Sequence, residues 1–147
     1  SVVGNIEGQW FRKTGKLLQL SEQQLLDCEH EDHGCEGGYP PQTYGEIQKM
    51  GGLELSSDYP YKARAGMCKM DRSKIKAYVN GSKVLPTSES FQAQQLKEIG
   101  PLASALNANI LQFYRKGIIH FRKFACDPKG LNHAVLTVGY GTEKGMP

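Results

Sequence analysis

LNHAVLTVGYG, residues 131–141, sets a single histidine at the mouth of an otherwise apolar run. After His133 come Ala134, Val135, Leu136, Thr137 and Val138, then Gly139-Tyr140-Gly141, which reads as a strand with at least one buried face. His133 itself is open to two readings at this point, a hydrogen-bonded core histidine or a titratable group serving a site. The texture around the strand decides the fold class. LASALNA (102–108) is strand-like, GII (117–119) reads as a short extended piece, and KIKAYVNGSKVLP (74–86) alternates with Ile75, Ala77 and Val79 on one side.

The first half reads differently. Val2, Val3, Ile6, Trp10 and Phe11 recur at helical spacing up to Gly15, and LSEQQLLDC (20–28) offers Ser21 as N-cap with Gln24 in capping-box position for a helix through Leu25 and Leu26. Gln42 to Met50 makes a third helix, with Tyr44, Ile47 and Met50 on one face and Gly51-Gly52 as its stop; a fourth runs from Ser90 to Ile99. Helices dominate the first half and strands the second, so the expected class is α+β in two lobes. The first helix has no cap signal ahead of it, and the strand expected to pair back after GYG does not arrive before Pro147, so the chain is expected to be an internal piece of a longer protein, truncated at both ends.

Charge and hydropathy exclude several classes. Eighteen basic and fifteen acidic residues give a net charge of +3, and the charges read as scattered, so no nucleic-acid partner is expected. No apolar run approaches the roughly 20 residues that cross a bilayer, so no membrane partner is expected either. Cys28, Cys35, Cys68 and Cys126 allow three pairings, and Asn80-Gly81-Ser82 is a glycosylation acceptor pattern, both in keeping with an oxidising, secretory-route compartment. The competing reading is a zinc site in CEHEDHGC (28–35), with Cys28, His30, His33 and Cys35 as ligands, although that spacing is tighter than in the usual finger.

In order along the chain, GNIEGQWFRKTGKLLQLSEQQLLDC (4–28), GCEGGYP (34–40), DYPY (58–61) followed by Met67-Cys68, LNANILQFYRKGI (106–118) and LNHAVLTVGYG resemble the papain-like cysteine proteases. EGQWFRKTGKL, YVNGS and LNANILQFYRKGI narrow the resemblance to one branch of that family. The resemblance implies a papain-like two-lobed α+β fold, with a helical left lobe at residues 1–82, a β-barrel right lobe at residues 83–147, and a cleft between them. It implies that His133 is the catalytic histidine, activating a cysteine nucleophile whose CWAF motif would run straight into Ser1. The orienting asparagine would lie beyond Pro147 and the oxyanion-hole glutamine ahead of Ser1, so residues 1–147 alone are expected to hydrolyse nothing.

The resemblance further implies a Cys28–Cys68 disulfide, with Cys35 and Cys126 bridged to cysteines outside residues 1–147, which leaves no set of zinc ligands; no metal and no cofactor are expected. Gly37 and Gly38 would pair with an extended substrate backbone, and Tyr39, Pro40, Ala105, Leu131 and Ala134 would line an apolar pocket favouring Leu, Val or Phe. Pro41 stands where papain has a large aromatic, Glu36 where Asn is common, and Asn132 where many relatives have Asp. The partners implied are peptide or protein substrates, cystatin-like inhibitors and the protein's own propeptide, in a lysosomal or secreted setting. The alternative is a catalytically dead homologue acting as a binding protein.

Overall fold

The computed structural model describes residues 1–31, 34–119 and 126–147. Among the described residues four α-helices are present: α1 (Val2–Thr14), α2 (Glu22–Cys28), α3 (Pro40–Met50) and α4 (Glu89–Ile99). Among the described residues one sheet forms, with β1 (Leu102–Leu106) antiparallel to β2 (His133–Thr137) in a register that sets Leu102 opposite Thr137 and Leu106 opposite His133.

α1 buries Val2, Val3 and Ile6 and ends at Gly15 in the left-handed conformation (φ 74°), whose N–H reaches the Phe11 carbonyl. Phe11, grouped with the apolar face by its spacing, is 48% exposed. The buried residues of α1 join Leu20, Cys28, Ile47, Met50, Leu53 and Ala77 in one cluster, drawn wholly from the first 77 positions. Beyond it, Leu96 and Leu102 are the buried aliphatics among the described residues, so the second half lacks a comparable centre.

α2 departs from its apolar reading. Gln23 and Gln24 are fully buried, while Leu25 and Leu26 are half-buried. The Ser21 hydroxyl accepts from the Gln24 N–H (3.0 Å), as a cap should. The reciprocal half of the capping box is absent, because the Gln24 amide instead donates to the Gly52 carbonyl (3.0 Å) and accepts from the Glu54 N–H (2.8 Å). The Ser21 N–H finds the Glu54 carbonyl (3.0 Å). Buried amides here satisfy backbone that no ladder reaches.

Three other elements differ from the sequence reading. α3 starts at Pro40, because a proline whose missing N–H has no partner to lose is well placed in a first turn. The alternation at 75–79 is real in burial, yet it makes a single bridge, Leu53 to Ala77, because the turn at Gly51-Gly52 (φ 93° and 134°) leaves its partner no extended length. A Cβ on Gly52 would stand 2.2 Å from the Ala77 carbonyl oxygen, so that crossing requires glycine. Residues 117–119 are not a strand: Gly117 is left-handed (φ 79°) and its carbonyl accepts from the Tyr114 hydroxyl (2.8 Å).

α1 joins the two halves. The Asn5 amide donates to the Pro101 carbonyl and the Gln9 amide to the Ile99 carbonyl, each at 2.6 Å. On the α3 side, Asn5 accepts from the Tyr44 hydroxyl (2.7 Å), whose pKa burial pushes up to about 12. Gly4 and Gly8, one turn apart, permit the close approach, since a Cβ would stand 3.0 Å from the Leu136 side chain and 3.1 Å from that of Pro101.

Candidate active site

His133 opens β2 and is exposed, whereas the four residues after it are half-buried. The strand is held at this end by an amide cluster. The Asn132 N–H donates to the Leu106 carbonyl (3.1 Å), its side-chain oxygen accepts from the Ala108 N–H (2.8 Å), and its amide nitrogen donates to Asn109 Oδ1 (2.6 Å). Asn107 adds a bond to the Asp127 carbonyl (3.1 Å) and accepts from the Asn109 N–H (3.1 Å). His133 therefore stands on a strand end tied to the 106–109 segment at three points, beside an open depression of about 390 Å³ that it lines with Ala108, Asn109, Leu111, Gln112 and Asn132.

The contacts of α1 give the direction of this end of the molecule. From Gln9 to Asn5 to Gly4 they advance from Ile99 to Pro101 to Leu136, which is along the sheet toward His133. Ser1 lies about 4.5 Å further along the helix axis, and His133 about 10 Å further along the strand. The N-terminus of α1, with its unsatisfied N–H groups and partial positive charge, thus faces the histidine end of the sheet.

The other expected site residues fall in two places. Ala105 and Ala134 are register partners, with Leu131 (56% exposed) just ahead of the strand. Gly37 (φ 121°) follows a short 3₁₀ turn at Gly34–Glu36, and Gly38, Tyr39 and Pro40 lead into α3, where the Tyr39 carbonyl accepts from the Gln42 and Thr43 N–H groups. None of these four lines the depression at His133. Sequence reasoning passed over Asn107, Asn109 and Gln112; the alternating asparagines of LNAN were the available signal.

Cys28 is bonded to Cys68, so it is no longer a thiolate and the four-ligand zinc set cannot assemble as written; His33 lies outside the described residues. Cys35 and Cys126 are free thiols among the described residues. Asn80 is on an exposed stretch, its carbonyl accepting from the Gln48 amide (3.3 Å).

Residues 1–147 match the family of papain family cysteine proteases along their whole length. The chain belongs to that family. It is 45% identical to cathepsin F of Mus musculus over 147 residues, covering all of this chain and 32% of that protein, and 44% identical to cathepsin F of Drosophila melanogaster over 142 residues, covering 96% and 23%. The branch to which EGQWFRKTGKL, YVNGS and LNANILQFYRKGI point is therefore cathepsin F-like. Among solved structures, a digestive procathepsin L 3 of the Tenebrio molitor larval midgut superposes with a TM-score of 0.90 at 36% identity, covering 98% of this chain and 48% of that one. The papain-like α+β fold follows, and the chain spans about a third or less of the curated cathepsin F relatives it matches. Among the described residues no helix is long and apolar enough to cross a membrane.

Proposed function

We propose that the whole protein to which these residues belong is a cysteine endopeptidase in which His133 is the acid–base partner of a cysteine standing immediately ahead of Ser1. The observation that carries this reading is the placement of His133, exposed beside an open depression at the sheet end faced by the N-terminus of α1. A thiol at that helix end is stabilised as thiolate by the helix dipole and by a neighbouring imidazolium. His133 takes the thiol proton, and the thiolate attacks the peptide carbonyl carbon. The tetrahedral intermediate then collapses to a thioester as His133 protonates the leaving amine, and water releases the acid.

The remaining assignments belong to the same proposal. The lobes divide at 82/83; an asparagine beyond Pro147 orients His133, a glutamine ahead of Ser1 donates to the oxyanion, and residues 1–147 alone are inactive for want of the nucleophile. Gly37 and Gly38 pair with substrate backbone, while Tyr39, Pro40, Ala105, Leu131, Asn132 and Ala134 border the side-chain subsite. Cys35 and Cys126 bridge to cysteines elsewhere, Asn80 carries a glycan, and the enzyme works in a lysosomal or secreted compartment. Peptides and proteins are its substrates, and its propeptide and cystatin-like proteins its inhibitors. The test is kcat/KM on a fluorogenic peptide with Leu or Phe before the cleaved bond, measured on the whole protein. His133→Ala lowers it by about 10³-fold or more, and turnover unchanged by that substitution overturns the proposal. A wild-type protein with neither turnover nor an alkylatable thiol ahead of Ser1 is the dead homologue instead.

A further inference from the structure

Asn80-Gly81, the first two residues of the glycosylation acceptor pattern, has a chemistry of its own. The chain holds five asparagines, and in four of them the side-chain amide is engaged. Asn5 bonds the Pro101 carbonyl and the Tyr44 hydroxyl, Asn107 the Asp127 carbonyl and the Asn109 N–H, and the side chains of Asn109 and Asn132 bond each other. Those four are followed by Ile6, Ala108, Ile110 and His133. Asn80 differs on both counts. Among the described residues its side chain has no hydrogen-bond partner and the Gly81 N–H donates to none. Both residues are exposed and outside any helix or strand. Gly81 has a positive φ (152°), and a Cβ there would meet nothing within 4 Å, so the space around its peptide nitrogen is open.

The path of the chain makes the position consequential. Val79 packs against the core cluster, and the Asn80 carbonyl accepts from the Gln48 amide (3.3 Å). Among the described residues, 81–85 then make no hydrogen bond until the Pro86 carbonyl accepts from Gln92 of α4 (3.0 Å). Asn80 is thus the last anchored residue before the chain crosses to α4.

We infer that Asn80 is a site of spontaneous deamidation, competing with the glycan for one nitrogen. The Gly81 nitrogen, losing its proton, attacks the side-chain carbonyl carbon of Asn80. The new N–Cγ bond closes a succinimide ring as the Cγ–Nδ2 bond breaks, and ammonia leaves with that proton. Water then opens the ring at either carbonyl, giving aspartate or isoaspartate. Glycine at position 81 favours closure because no side chain crowds the attacking nitrogen. Either product lowers the formal charge of +3 by one, and isoaspartate lengthens the main chain by one carbon where it crosses to α4. A glycan is attached to the same Nδ2 and crowds the approach of Gly81. The competition rests on the glycan assigned to Asn80 above; the deamidation does not.

The test uses the whole protein carrying Ser82→Ala, which abolishes the acceptor pattern and keeps Asn80-Gly81, incubated at neutral pH and mapped with trypsin over time. The peptide Ala77–Lys83 gains about 1 Da and accepts methyl groups from a protein isoaspartate methyltransferase. Its rate lies within about tenfold of that of the same peptide made synthetically, because an unrestrained segment needs no opening step. Peptides carrying Asn5, Asn107, Asn109 and Asn132 stay unchanged over that time. Adding Gly81→Ala slows the gain by about tenfold or more. Wild-type molecules bearing the glycan, read with the sugar left in place, gain nothing at Asn80. Wild type found without a glycan and deamidating like Ser82→Ala supports the site and removes the glycan assignment instead. A rate more than about tenfold below that of the synthetic peptide, equal rates with and without Gly81→Ala, or equal gain in glycan-bearing molecules each overturns the inference.

Discussion

Asp27 shows how one side chain can hold two segments together. Its burial pushes the carboxyl pKa up, but donation by Tyr59 (2.8 Å), Gln23 (2.8 Å) and the Gly66 N–H (2.8 Å), with Lys62 nearby, outweighs that and holds it below the usual carboxylate range. A carboxyl whose folded pKa is depressed contributes stability that is present above its unfolded pKa of about 3.9 and is lost as pH falls through the folded value. Glu7 has the opposite sign: burial raises its pKa, against the counteracting Leu20 N–H, so its ionised form weakens the fold and protonation relieves it. Thermal melts from pH 6 down to pH 2 should therefore show Asp27→Asn less stable than wild type near neutrality, with the two curves converging in acid. A constant gap across that range would remove the carboxylate from the account. His133, by contrast, was singled out by its place in the sequence alone, because a polar ring before Ala-Val-Leu-Thr-Val is conspicuous without any coordinates.

At the scale of elements, helix existence was legible, and so was the buried face of α3, where Ile47 and Met50 are buried and Tyr44 packs against the core; the face of α2 was not. Ser21 as N-cap and Gly15, Gly51 and Gly100 as stops follow from local backbone chemistry. That Gln23 and Gln24 would be fully buried is not local: their amides serve Lys62, Arg64, Gly52 and Glu54, residues 28 to 41 positions away. The same holds for Ser21, whose hydroxyl also donates to the Tyr59 carbonyl (2.7 Å). Ser21→Ala thus removes a cap and leaves a buried carbonyl without its donor. A loss of about 2 kcal/mol is expected in urea unfolding, roughly twice that of an exposed cap. For comparison, Ser88→Ala at the exposed start of α4, where the cap bond to Phe91 N–H is 3.4 Å, should cost well under 1 kcal/mol.

At the scale of the whole molecule the halves are unequal. The hydrophobic cluster and the Cys28–Cys68 bridge, closing a separation of 40 residues, lie in the first half. The β1–β2 sheet is held to them by α1 through Asn5, Gln9, Gly4 and Gly8. Chain-entropy arguments give a bridge of that span about 4 kcal/mol. The double variant Cys28→Ser, Cys68→Ser should accordingly lose about 2–5 kcal/mol, read as a drop in the urea midpoint.

The sequence by itself determined the α+β class, the four helices with the glycine stops of α1 and α3, the β2 strand and the histidine at its head, because these rest on periodicity and on cap and turn chemistry within a few residues. Family membership was legible in the order of its motifs. Only the tertiary structure decided that the alternating run at 75–79 makes one bridge, that two glutamines occupy the interior, that Asn109 closes on Asn132, and that the lysines of the 62–69 loop gather around one depression. The last three depend on which distant polar groups, backbone or side-chain, were left without a partner, and hydrogen-bond satisfaction between segments tens of residues apart leaves no periodic trace in the sequence; the first depends on the turn at Gly51-Gly52 that ends the facing segment.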